Sequence, residues 1–98
     1  MIITIRSRKL ISGSADLLMQ KLDEELVPII SKQPGYIAYY VIDSGNDVVT
    51  AISIFKDAST SEGSNKLAES WVKQNLGPMV PGAPEVISGP VVVPTQLI

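Results

Sequence analysis

The chain contains no cysteine and no histidine. Without cysteine there can be no disulfide framework, thiolate nucleophile, iron–sulfur cluster or cysteine-bound zinc. Without histidine the commonest general base, the usual metal ligand and the usual haem axial ligand are all missing, which excludes serine–histidine hydrolases and zinc enzymes of the ordinary kinds. Any chemistry must use carboxylates, hydroxyls, amides, Trp71 or the reactivity of the substrate itself, and no metal site or cofactor is expected. Charge is also sparse. Eight Lys and Arg against ten Asp and Glu give a net charge of -2, so the chain has no basic footprint for nucleic acid or an anionic membrane surface. No apolar run approaches the length of a membrane span, and the opening Met1-Ile-Ile-Thr-Ile-Arg lacks a positive segment ahead of an apolar one. A soluble, cytoplasmic protein without a signal peptide is therefore expected.

What the chain does have is apolar surface. Of 98 residues 45% are apolar and only 18% charged, a balance that excludes disorder and exceeds what a monomer of this size can hide. The length suits one domain spanning residues 1–98 with a single core. Four consecutive β-branched residues, Ile2 to Ile5, open a strand over residues 2–8 that stops at Ser12-Gly13-Ser14. Ala15, Leu18, Met19, Leu22, Leu26, Ile29 and Ile30 then recur at helical spacing, with Ser14 as N-cap. Pro28 should kink that helix near residues 24–28 without ending it, and Pro34-Gly35 ends it.

Two β-rich runs, residues 36–42 and 48–55, flank a turn around Gly45-Asn46 and predict an antiparallel hairpin. Residues 57–76 predict a second helix, capped by Asp57 or Ser59 with Glu62 as a capping-box partner, and stopped by Gly77-Pro78. A last strand follows over residues 85–93, where Gly89-Pro90 favours an edge position. The order β-α-β-β-α-β predicts an α+β, ferredoxin-like fold with two helices on one face of a four-stranded antiparallel sheet. The hairpin strands carry no charge on either face, so both faces of the sheet should be covered, one by the helices and the other by a second copy of the chain. A homodimer is expected.

The second helix carries the candidate site. At about 100° per residue, Leu67, Ala68, Trp71, Val72 and Leu76 define its apolar arc, and Ser61, Ser64 and Asn75 fall inside that arc with Asn65 at its edge. Glu62, Lys66, Glu69 and Lys73 lie opposite. Buried polar groups need partners, so Ser64, Asn65, Trp71 and Asn75 either line a small pocket over the sheet or serve packing and capping. Tyr36 and Tyr40 share one face of their strand by simple alternation, with Tyr39 opposite. Each is a candidate pocket residue or an amphipathic packing residue. Arg6 and Arg8, the only arginines, share a face of the first strand, and an anionic or enolate substrate would have to bind there or at lysines. Asp43, Asp47 and Asp57 have turn or cap explanations, and no carboxylate pair has acid–base spacing.

Four stretches together resemble the antibiotic biosynthesis monooxygenase domain: Val27 to Tyr36 with its Pro34-Gly35-Tyr36 turn, Ile52 to Phe55, Ser64 to Val72, and Gly82 to Gly89. The resemblance covers roughly residues 2–93. It implies a dimeric α/β barrel, a cavity between sheet and helices, and cofactor-free oxidation of phenolic or quinol-type aromatic substrates by dioxygen. By resemblance Asn65 is a hydrogen-bond donor and Trp71 a stacking wall. The chain departs from active members in lacking histidine and any arginine after Arg8, which motivates a second reading as a non-catalytic, small-molecule-binding or stress-associated dimer. The missing histidine also argues against haem oxygenase activity.

Overall fold

A computed structural model of the chain describes residues 1–93; the last five residues of the expected 1–98 domain lie outside the described residues. Strand β1 (Ile2–Lys9) is followed by helices α1 (Ala15–Lys21) and α2 (Val27–Ile30), which a π turn, Leu22–Leu26, joins into one rod. The hairpin β2 (Tyr36–Gly45) and β3 (Val48–Phe55) comes next, then α3 (Ala58–Leu76), a 3₁₀ turn over Gly77–Met79 and β4 (Glu85–Pro90). The sheet is antiparallel with order β2-β3-β1-β4, the ferredoxin-like arrangement, and β4 holds the edge that Gly89-Pro90 predicts. Among the described residues no helix is long and apolar enough to cross a membrane.

Pro28 shapes the first helical rod. Because it has no N–H to give, the backbone widens just before it, and the Val27 N–H reaches the Leu22 carbonyl five residues back. The wider turn also resets the buried stripe. Leu18, Leu22, Leu26 and Ile30, each four residues apart, are buried, whereas Ile29 is exposed, contrary to the expectation from a 3.6-residue period. The Ser14 hydroxyl donates to the Ile11 carbonyl at 2.7 Å instead of accepting from the helix, so the expected side-chain cap is absent there.

The hairpin closes through Asn46 and Asp47, both at positive φ (54° and 60°), the two-residue type I′ geometry whose twist matches the strands. A bulge between Tyr36 and Ala38 corrects the expectation for the tyrosines. The extra residue, Ile37, shifts the alternation by one, so Tyr36 and Tyr39 face the helices while Tyr40 faces away. At the start of α3 the capping box pairs Asp57 with Thr60, not with Glu62. The Thr60 amide donates to Asp57 Oδ1 at 3.0 Å, and this hydrogen bond, with a second from the Thr60 hydroxyl, holds the Asp57 carboxyl below its usual range. The stabilisation it gives is complete above the ordinary aspartate range and is lost as pH falls through the lowered value.

Thr60 is also pressed against Gly35, which has φ +76°. A Cβ at Gly35 would lie 2.8 Å from Thr60 Cβ, in a backbone region that L residues disfavour. Gly35→Ala is therefore expected to cost about 2 kcal/mol, from strain plus a disturbed helix cap. Urea unfolding of the variant checks this; an unchanged midpoint would contradict it.

Candidate functional site

Alternation along β1 and β3 decides which side chains meet the helices. Ile2, Thr4, Arg6 and Arg8 pair across the register with Phe55, Ser53, Ala51 and Val49, and all point inward. The inner face is thus apolar at Phe55 but polar through its middle. Thr4 (2% exposed) is the hub of a buried hydroxyl network. Its Oγ1 lies 2.9 Å from Ser88 Oγ and 3.5 Å from Ser61 Oγ, and accepts from Asn65 Nδ2 at 3.2 Å. This network ties α3 to β1 and to the edge strand, which satisfies groups that would otherwise be costly to bury.

Between this inner face and the helices lies a cavity with about 50 Å³ open to the centre of a water molecule, room for a few waters and about a third of the space of a cavity that binds benzene. Leu18, Leu22, Leu26 and Ile30 from the first helical rod form its apolar side. Thr4, Arg6, Arg8 and Ser53 come from the central strands, Tyr39 from β2, and Ser64, Asn65 and Glu69 from α3. Burial pushes the Tyr39 phenol above the ordinary tyrosine range, an effect the Arg6 guanidinium partly offsets. Tyr39 therefore keeps its proton at neutral pH and can act as a hydrogen-bond donor. Its contribution to stability is intact below the ordinary tyrosine range and is lost as pH rises through its raised value. In an alkaline ultraviolet titration, Tyr39→Phe should remove the highest tyrosinate transition; loss of an earlier one would contradict the assignment.

The arginines converge on Glu69. Arg6 Nε lies 3.3 Å from Glu69 Oε1, and Arg8 Nη2 donates to the same oxygen. The sequence pattern puts Glu69 on the solvent face of α3, but in the structure it sits on the flank, within reach of both cations. The cavity brings together Ser64, Asn65, Arg6 and Arg8 of the residues singled out from sequence. Trp71 stands outside the lining, in the core cluster. Asn75 donates its side chain to the Trp71 carbonyl at 2.9 Å. Tyr36 packs edge-on against Phe55 with ring centroids 6.0 Å apart, and Tyr40, 59% exposed, lies on the opposite face of the sheet. Sequence reasoning missed Thr4, Ser53 and Glu69, and of the three tyrosines it left open the structure places Tyr39 in the lining. A readable signal for the first existed: Thr4, Arg6 and Arg8 alternate along a strand whose other residues are isoleucines, one serine and the closing Lys9. Among the described residues no cluster of three or more histidine, cysteine, aspartate or glutamate side chains could hold a metal ion.

No family model matches the sequence, and no curated relative does. Solved structures match it in fold. A protein of unknown function from Nitrosomonas europaea superposes with a TM-score of 0.81 at 13% identity, covering 99% of this chain and 94% of the other. A provisionally assigned antibiotic biosynthesis monooxygenase from Chloroflexus aurantiacus gives 0.72 at 17% identity, covering 97% and 96%. MhuD, a haem-degrader from Mycobacterium tuberculosis with two haems in its active site, gives 0.74 at 9% identity, covering 98% and 100%. The chain has the α+β fold that these proteins share.

Proposed function

We propose that the cavity binds a one-ring phenol or quinol and that the chain oxidises it with dioxygen without a resident cofactor. The observation that carries this reading is the make-up of the cavity wall: apolar side chains from the first helical rod face hydroxyl, amide and guanidinium groups from the sheet and α3. Once its rim at Arg6, Arg8 and Glu69 opens to widen it, such a slot takes an aromatic ring and fixes its oxygen. Asn65 supplies the hydrogen bond to that oxygen, protonated Tyr39 a second donor, and Arg6 the charge that stabilises a phenolate. A phenolate can pass electrons to dioxygen directly. In the conversion of a phenol to a quinone one atom of O₂ enters the ring, the other leaves as water, and the substrate supplies every electron. The protein need only bind, exclude water and stabilise the anion. The name of the Chloroflexus neighbour is consistent with this chemistry.

Haem, the ligand of the MhuD structure, does not fit these residues. The chain has no histidine to hold iron, the cavity is far smaller than a tetrapyrrole, and burial keeps the Tyr39 phenol protonated. One observation favours a binding role without turnover. Glu69 is the one carboxylate in the cavity lining, and it is already shared by two arginines, which leaves no free base for the substrate proton. Oxygen uptake by metal- and flavin-free protein, with a panel of hydroquinones and catechols, separates the two. Saturable uptake that falls about 10- to 100-fold in Asn65→Ala supports the oxygenase. Saturable binding without uptake selects the binding role, and neither would overturn both.

The functional unit in this reading is a homodimer joined through the outer face of the sheet. Tyr40, Ile52, Ile5 and Ile87 lie side by side there, one from each strand, and Ile87 is 71% exposed in the single chain. Ala38, Ile42, Ile3 and Ile54 flank this row. A continuous apolar sheet face of this kind, without charge at its centre, is what an isologous interface covers.

A further inference from the structure

We infer that Glu69 is a displaceable gate to the cavity, and that the ligand it admits is a compact aromatic ring carrying one negative charge, as carboxylate or phenolate. This deepens the proposed function and rests on its reading of the cavity as a small-molecule site. Position is the first argument. Glu69 lines the interior cavity and also both surface grooves beside it; Arg6 is shared with one groove and Arg8 with the other. The three side chains are therefore the partition between the cavity and solvent.

Charge is the second argument. Two guanidinium side chains, 17% and 13% exposed, share a single carboxylate oxygen. The Arg6 Nε is buried without a hydrogen-bond acceptor, although that oxygen lies 3.3 Å away. One positive charge is thus uncompensated at the edge of an apolar cavity, a costly arrangement that one further anion would balance. A carboxylate or phenolate on a ring seated in the cavity could reach the guanidiniums in the charge-assisted geometry they favour.

Glu69 also has somewhere to go. Its side chain is 33% exposed, and Lys73, one turn further along α3, lines both grooves and has no ion-pair partner among the described residues. Glu followed by Lys at i+4 is the favoured orientation for a helical pair. Turned inward, Glu69 neutralises the arginines in part and closes the cavity; turned outward onto Lys73, it frees both guanidiniums for the ligand.

Calorimetric titration of the whole chain with benzoate and with benzamide, its neutral isostere, tests the gate. Wild-type protein should bind benzoate about tenfold or more tightly than benzamide. Glu69→Gln, which removes the competing carboxylate, should tighten benzoate by a further ~10-fold and leave benzamide unchanged. Lys73→Met should weaken benzoate alone. Equal wild-type affinities for the two compounds, or benzoate binding indifferent to Glu69→Gln, would overturn the gate while leaving the cavity reading intact. Failure of any one-ring compound to bind would overturn both. If Glu69→Gln does not fold, the wild-type comparison and Lys73→Met still decide the matter.

Discussion

Ile52→Lys is expected to turn a dimer into a folded monomer. Ile52 pairs with Ile5 on one side and with Tyr40 on the other, so its side chain stands in the middle of the outer face. In the single chain that residue is partly buried on the open face of the sheet, and a lysine there can run its stem along the neighbours and extend its ammonium into water. In a two-fold interface the same substitution occurs twice and buries two unpaired like charges, so the dimer constant should weaken by about 10³-fold or more. Sedimentation velocity at micromolar concentration reads this directly. A monomeric wild type would remove the proposed interface, and an Ile52→Lys protein that remained dimeric would place the contact elsewhere.

The second large effect is on stability. Phe55, the only phenylalanine, is fully buried at the end of β3, opposite Ile2 and Tyr36, with its ring edge-on to Tyr36. Phe55→Ala removes the largest fully buried side chain and opens a cavity that strands on both sides cannot fill, for an expected loss of about 3–5 kcal/mol. A domain of this size has about 5–15 kcal/mol in total, so the variant gives up at least about a fifth of it and its denaturation midpoint should fall accordingly. Phe55→Leu, which keeps most of the volume, should lose about 1–1.5 kcal/mol. Chemical denaturation of both variants checks the pair; equal losses would mean that ring shape and edge-on packing, rather than volume, set the cost.

The element order and the edge position of β4 were legible because they rest on periodicity and on residues with few backbone options, such as Pro28, Pro34-Gly35 and Gly77-Pro78. The polar character of the buried side of α3 was legible too, since Ser61 and Ser64 are buried as their places on the helical wheel imply. The misses have a common physical origin in local departures from an ideal period. The bulge at Ile37 put Tyr36 and Tyr40 on opposite faces, and the π turn before Pro28 moved Ile29 out of the buried stripe. Neither Thr60 as the capping partner nor Glu69 as a cavity residue follows from a wheel. Thr60 depends on which hydroxyl meets Asp57, and Glu69 on two arginines more than sixty residues earlier in the chain. Trp71 attracts notice because it is unique, yet uniqueness says nothing about which flank of the helix meets a cavity.

The central claim is that the space between α3 and the sheet is a ligand site, and the most direct test follows individual amide signals. A ¹H–¹⁵N correlation spectrum recorded through a hydroquinone titration should show saturable shifts of the Asn65 side-chain amide and of the Thr4, Ser53 and Ser64 backbone amides, with Tyr40 and Ile87 on the outer face unmoved. Shifts confined to the outer face, or none that saturate around Asn65, would contradict it.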